Sequence, residues 1–276
     1  MSNIEQKMHP FDAATKLTEE SGIYQGHTSE HYANMLGPFG GITAATLLKA
    51  VIDHPECQGE PISLTINYAA AISDGAFNIK ANPTRTNRAT QHWYIELYQN
   101  EKIFVTGTAV FANRRETWTA TEAHFPNVPN AEKIPSIPTI DDLPAWVKSY
   151  DIKIIEGAPL AFTHPDKDEI DNSVTTQWIQ DEPKRQIDFL SLTSMCDAFF
   201  PRIYVRRNQL VPIGTVSLTI YFHTDAKTLK ENDDKHLLGQ ARANQFQNGF
   251  FDQTGEMWTE NGKLIATTSQ FVYYRK

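Results

Sequence analysis

Ser63-Leu64-Thr65-Ile66-Asn67-Tyr68 reappears 154 residues further on as Ser217-Leu218-Thr219-Ile220-Tyr221-Phe222. One six-residue match arises easily by chance. A second echo, in the same order, pairs Asn100-Glu101-Lys102-Ile103-Phe104-Val105-Thr106 with Asn261-Gly262-Lys263-Leu264-Ile265-Ala266-Thr267, 161 residues apart. Two echoes with nearly equal offsets point to a unit of about half the chain, present twice. A length of 276 residues accommodates two such units, each large enough to bury a core.

Each half repeats one plan. Residues 41–53 (GITAATLLKAVID) contain no breaker and are apolar on most faces, which predicts a largely buried helix entered through Gly37-Pro38-Phe39-Gly40-Gly41. β-rich or alternating runs follow at 63–70, 77–81, 90–99 and 102–111, the last two joined by a short turn at Asn100-Glu101. In the second half, 174–179 reads as a strand. Asp188 is placed to N-cap a helix that runs to Phe200 and stops at Pro201, with Phe189, Leu192, Cys196 and Phe199 on one face. Strands are expected at 214–223, 237–247, 250–259 and 263–273, and Asn261-Gly262 suits a tight type I′ turn. Between the halves, residues 116–150 hold Pro126, Pro129, Pro135, Pro138 and Pro144 without sustained periodicity, as an extended linker would.

Composition removes several function classes. The chain is 40% hydrophobic and 21% charged, and no apolar run approaches the roughly 18 residues of a membrane span. The first 17 residues carry scattered charge and Pro10 rather than a signal-type apolar stretch, so a cytoplasmic protein without membrane association is expected. A net charge of −8 argues against sequence-independent nucleic-acid binding, and any anionic ligand must find a local basic patch. Three clusters qualify: Arg85 with Arg88, Arg114 with Arg115, and Arg202 with Arg206 and Arg207. Cys57 and Cys196 are too few for a disulfide framework and lack metal-ligand spacing, so no metal and no cofactor are expected.

A long apolar helix wrapped by an antiparallel meander, present twice, resembles the double hot-dog fold, an α+β architecture. Four motifs narrow the resemblance to the acyl-CoA thioesterase II-like group of the thioesterase-like superfamily. They are Gly37-Pro38-Phe39-Gly40-Gly41 before the first helix, residues 215–223 (TVSLTIYFH), the Gly-Glu-aromatic hairpin at 255–264, and Ala266-Thr267-Thr268-Ser269-Gln270. The implied organisation is an N-terminal unit over 1–115, a linker over 116–150 and a C-terminal unit over 151–276.

The resemblance implies hydrolysis of acyl-CoA to free acid and CoA, with an Asp, a Thr or Ser and a Gln of the second half holding and activating water. Carried over by position, the Gln is Gln270, the hydroxyl position falls on Asn244 and the Asp position on Ser217. None of these three is a base near neutral pH, so low activity is expected. Gly40 and Gly41 are the expected substrate-binding residues, since the unpaired N–H groups opening that helix favour a developing oxyanion. The glycines equally allow a tight turn and close packing. His223 lies six residues from Ser217, roughly 20 Å along a strand at about 3.3 Å per residue, too far to replace the base. Asp188 reads as a cap. Two alternatives stay open: a non-catalytic acyl-thioester binder, favoured by Ser217, and a hydratase on the same fold, which needs an Asp and a His. Homodimerisation through exposed sheet edges is expected.

Overall fold

The computed structural model describes residues 8–138, 140 and 143–275. Residues 1–7, which open the expected first unit, residues 139, 141 and 142 of the linker, and Lys276 at the end of the second unit lie outside the described residues.

The first half contains α1 (Pro10–Ala14), β1 (Thr18–Glu20), β2 (Ile23–His27), α2 (Gly40–Ile52), β3 (Glu60–Tyr68), β4 (Ala76–Thr86), β5 (Thr90–Gln99) and β6 (Lys102–Ala112). The second contains β7 (Tyr150–Glu156), α3 (Leu160–Thr163), β8 (Thr175–Asp181), α4 (Phe189–Met195), α5 (Arg202–Arg206), β9 (Ile213–Phe222), α6 (Ala226–Asn232), β10 (Leu237–Arg242), β11 (Phe246–Gln247), β12 (Phe250–Thr259) and β13 (Leu264–Tyr274). The described strands form one sheet in the order β1-β2-β4-β5-β6-β3-β9-β13-β12-β10-β8-β7, with β11 beside β12.

That order is its own mirror under exchange of the halves. The two echo strands, β3 and β9, pair antiparallel at its centre, and Thr65 faces Thr219, its counterpart in the repeat, with the two hydroxyl oxygens 3.1 Å apart. The second echo supplies β6 and β13, which flank that centre on either side. Each half therefore completes the other's sheet.

The helix α2 forms because thirteen residues without a breaker, rich in Ala and Leu, tolerate no exposed side: every residue from Gly41 to Val51 except Lys49 is buried. Lys49, the half-exposed exception, pairs with Asp53 at 2.7 Å where the helix ends. The helix packs against α4 of the other half. Strands β5 and β12 alternate buried and less buried residues along most of their length, so their apolar sides face the helices. One continuous apolar core runs through both units, from Ile42, Leu47 and Trp93 to Leu192, Phe199 and Met257.

Several expectations are corrected. The second helix ends at Met195 rather than Phe200: the chain turns at Cys196, and Asp197 N–H donates to Ser194 O at 3.2 Å. The strand expected over 237–247 breaks after Arg242, because Asn244 and Gln245 turn to donate backbone N–H groups to Asp252 Oδ1 at 2.9 and 2.8 Å. Of the two hairpins aligned by the repeat, the earlier one has two consecutive residues at positive φ, Asn100 (48°) and Glu101 (62°), as type I′ requires. At the later hairpin only Gly262 (80°) is positive, and a three-residue loop is closed by Thr259 N–H donating to Lys263 O at 2.9 Å. The linker is irregular, with short turns at Ala131–Lys133 and Ala145–Ser149, yet it buries Trp146. Trp146 stacks on Phe39, ring centroids 4.4 Å apart, and so steadies the residue that precedes α2.

Candidate active site

The first turn of α2 lacks a side-chain cap. Phe39 occupies the N-cap position and makes no capping bond, so the N–H groups of the first turn find no partner within the helix. What faces this end is a carboxylate from the other unit. A Cβ on Gly40 would lie 2.7 Å from Asp197 Oδ2 and 3.4 Å from the Tyr68 hydroxyl, so only glycine admits that carboxylate. A Cβ on Gly41 would lie 2.5 Å from Ser194 O, which makes Gly41 the contact point between α2 and α4. Both glycines are thus packing requirements of the site.

Asp197 is fixed from several sides. Gln270 Nε2 donates to Asp197 Oδ1 at 2.8 Å, and the Gly41 N–H points at the same carboxylate. The turn that carries Asp197 is pinned by Gln177 of β8, whose Nε2 donates to Ala198 O at 2.7 Å. Tyr68 donates its hydroxyl to Gly40 O at 2.8 Å, which ties β3 to the opening of α2. Burial pushes the Asp197 carboxyl up to about 7, against the bonds from Gln270 and Gly41, which favour the charged form. The same burial, reinforced by Asp197, holds the Tyr68 hydroxyl well above its ordinary range. Asp197 therefore titrates near neutrality, where a general base is most effective.

Of the residues expected from the sequence, the structure brings together Gln270, Gly40 and Gly41. Ser217 and Asn244 lie elsewhere. On β13, Gln270 faces the core opposite Leu218 and Gln253, while Ser217 pairs with Phe271 and so projects from the opposite face of the sheet. A strand alternates its faces at every residue, and the motif match placed Ser217 one position out of phase with Gln270. Asn244 is exposed, and its Nδ2 donates to Asp252 Oδ2 at 2.6 Å; Asp252 also pairs with Phe271 on the outer face. His223 bonds Thr267 at 2.9 Å, also away from Gln270. Asp188 caps α4 as expected, through a capping box with Ser191.

Sequence reasoning missed Asp197. The signal was present in Met195-Cys196-Asp197-Ala198-Phe199-Phe200, a lone carboxylate in an apolar run before the Pro201 stop. A charge in such a place is buried and rarely without purpose. Thr268 is also new: it shares the inner face with Gln270, and its buried hydroxyl has no hydrogen-bond partner among the described residues.

A sheet of two mirrored halves, each carrying a core helix, with a carboxylate–amide pair of one half set against the helix opening of the other, defines a double hot-dog protein. A family model described as the acyl-CoA thioesterase C-terminal domain matches residues 122–274, and one described as the acyl-CoA thioesterase N-terminal domain matches residues 29–112. The chain belongs to the acyl-CoA thioesterase family. Among solved structures it is similar, at 43% identity and a TM-score of 0.92, to a conserved hot-dog protein of unknown function from Alicyclobacillus acidocaldarius, covering 98% of this chain and 99% of that one. It also shares its fold with the acyl-CoA thioesterase II TesB2 of Mycobacterium marinum, at 16% identity, a TM-score of 0.75 and coverage of 96% and 98%. No curated protein sequence matches the chain. Among the described residues no helix is long and apolar enough to cross a membrane, and no group of His, Cys, Asp and Glu side chains is arranged to hold a metal.

Proposed function

We propose that the protein hydrolyses acyl-CoA thioesters and that Asp197, oriented by Gln270, is the proton acceptor. The observation that carries this reading is the buried Asp197 carboxylate, 2.8 Å from Gln270 Nε2, beside the uncapped opening of α2. Asp197 Oδ2 takes a proton from water, and the water oxygen adds to the thioester carbonyl carbon. The carbonyl oxygen gains charge beside the first-turn N–H groups of α2, where the helix dipole stabilises it. The C–S bond then breaks, and Asp197 returns the proton to the departing sulfur, giving the free acid and the CoA thiol.

The expectation of low activity followed from assigning no base to the site, and the case for the alternative of a non-catalytic binder had the same origin. Asp197 removes that reason from both. A hydratase needs a histidine beside the carboxylate, and none of the described groups bonded to Asp197 is one. Thiol release from a panel of acyl-CoA chain lengths tests the proposal: turnover with at least one chain length that Asp197→Asn removes supports it, and no thiol release with any chain length overturns it. We place the reaction in cytoplasmic lipid metabolism. We also expect a homodimer formed through the sheet edges β1 and β7; a strictly monomeric mass by light scattering at micromolar concentration overturns the pairing.

A further inference from the structure

We infer that a cavity of about 590 Å³ beside α5, bounded by Arg206, Arg207 and Arg242, is an anion site that takes the phosphate groups at the nucleotide end of a CoA thioester. The assignment of CoA as the source of those phosphates rests on the proposed thioesterase function. The anion chemistry rests on the side chains themselves.

Three arginines line this one cavity in a chain whose net charge is −8. Buried nitrogens of two of them, Arg206 Nη1 and Arg207 Nε, have no hydrogen-bond partner among the described residues. Their nearest carboxylates stand off at 3.8 Å (Asp171) and 3.7 Å (Glu169), and both acids are more exposed than the arginines they face. Pairs of that length and exposure hold weakly. Glu169 and Asp171 also line the cavity, on the segment between α3 and β8.

A fourth arginine stands behind the wall. Arg202 is fully buried, and its guanidinium donates only to neutral acceptors: Ser173 O at 2.8 Å, Thr175 Oγ1 at 2.7 Å, Ala241 O at 3.3 Å and Phe200 O. No carboxylate acts on it among the described residues, and burial lowers it to about 9. An uncompensated buried cation is costly to keep, and its field is screened little by solvent. Ser173, which it bonds, lines the cavity, so the field reaches the cavity through one residue.

Position joins this site to the catalytic one. Gln270 pairs with Gln253 across the sheet, and the residue next to Gln253, Thr254, pairs with Arg242 on the cavity wall. Two strand spacings of about 4.8 Å put that wall roughly 10 Å from Gln270. A pantetheine arm separates the thioester from the phosphates of CoA by more than this distance, so one substrate can occupy both places. Planar guanidinium forks suit phosphate oxygens bidentately.

The test is the paired substitution Arg207→Gln with Arg242→Gln, and separately Arg206→Gln, each checked for an unchanged melting curve. Calorimetry with free CoA, 3′,5′-ADP and inorganic phosphate reads binding directly, without any turnover. We expect the paired variant to lose about tenfold or more in affinity for CoA and 3′,5′-ADP. KM for acyl-CoA should rise by a similar factor at unchanged kcat, while hydrolysis of the phosphate-free acyl-pantetheine stays at the wild-type rate. Wild-type affinity for CoA in all variants overturns the site. Binding of inorganic phosphate without CoA or 3′,5′-ADP overturns the CoA assignment. If wild type hydrolyses neither thioester but the variants lose CoA, the thioesterase reading fails and the anion site stands. Should the variants unfold, salt dependence replaces them: CoA binding by wild type that does not weaken between low and high ionic strength overturns the site.

Discussion

The two core helices begin in opposite ways. α4 is closed by its own neighbour: Asp188 accepts N–H bonds from Leu190 and Ser191, both at 2.9 Å, and its other oxygen is held by Arg185 at 2.6 Å. α2 opens on Phe39, which caps nothing, and the carboxylate beside it, Asp197, comes from the far unit. A buried aspartate also lies near the closed end. Asp181 is pushed up to about 7 by burial, against the pull of Arg185 and with Asp188 and Asp12 adding to the rise. Each helix opening thus has a carboxyl of about the same acidity nearby, but only at α2 do an amide, a glycine pair and uncapped N–H groups converge on it. The same fold element thus opens in two ways, closed by its own cap in α4 and facing a carboxylate of the other half in α2.

The sharpest way to break this comparison is to neutralise both aspartates separately. Asp197→Asn should lower kcat by about 10²- to 10⁴-fold, the worth of a placed general base, while Asp181→Asn leaves kcat near wild type. In wild type the rate should rise with pH through about 7 as Asp197 ionises, and Asp197→Asn should flatten that rise. Equal losses from the two substitutions, in a steady-state thiol-release assay, would remove the distinction drawn here.

Gly40→Ala comes next in size. Its Cβ would stand 2.7 Å from Asp197 Oδ2, so the carboxylate must shift, and displacement of a reacting group by about 1 Å can cost on the order of 10²-fold. A crystal structure of the variant with Asp197 unmoved and full activity would count against the role of Gly40. Gln270→Ala should cost about tenfold, the contribution of a hydrogen bond to a charged group. It should also move the pH midpoint upward, because the lost bond favoured the carboxylate. A midpoint that stays or falls would show that Gln270 does not act on Asp197.

Both aspartates also make stability depend on pH in the same direction. Their folded values near 7 lie above the unfolded value of about 3.9, so the native state binds these protons more tightly. The stabilisation this gives is full below about pH 4 and is lost as pH rises through 7, by something of the order of 1 to 4 kcal/mol for each group. Asp181→Asn should remove its share of that fall without touching the rate, which melting temperatures at pH 5 and pH 8 would show. A fall between those two values as large as in wild type would mean that Asp181 is charged throughout.

The architecture was legible because it is written in local periodicity and in the repeat. Thr65 and Thr219, aligned by the echo, meet at the sheet centre, and β5 and β12 begin and end where alternation starts and stops. Asp188 was legible as a cap because a cap and its helix are adjacent in sequence. The site was half legible. Gln270 and Gly40 were carried by short motifs, whereas the partner they share, Asp197, is brought to them by packing of α4 against α2, a contact with no local signature. Ser217 was misplaced by the same gap, since a motif aligned on one strand fixes a residue's face only when register with the neighbouring strand is known.

The smallest expected effect concerns the closed helix. Asp188→Ala removes the acceptor for the Leu190 and Ser191 N–H groups and leaves Arg185 paired only with Asp12, at 2.8 Å. Loss of an N-cap costs about 1 kcal/mol, and the pair with Arg185 adds little because the Asp188 side chain is 42% exposed. A helix of seven residues has little propensity of its own to spare, so the loss should appear as a melting temperature lower by a few degrees. kcat should stay within about twofold, since Asp188 lies at the opposite end of α4 from Asp197 and a local cap loss of this size leaves the packed core in place. If kcat instead fell as far as it does in Gln270→Ala while the melting temperature held, the capped helix would be acting on the reaction, and the two openings would be working parts of one site.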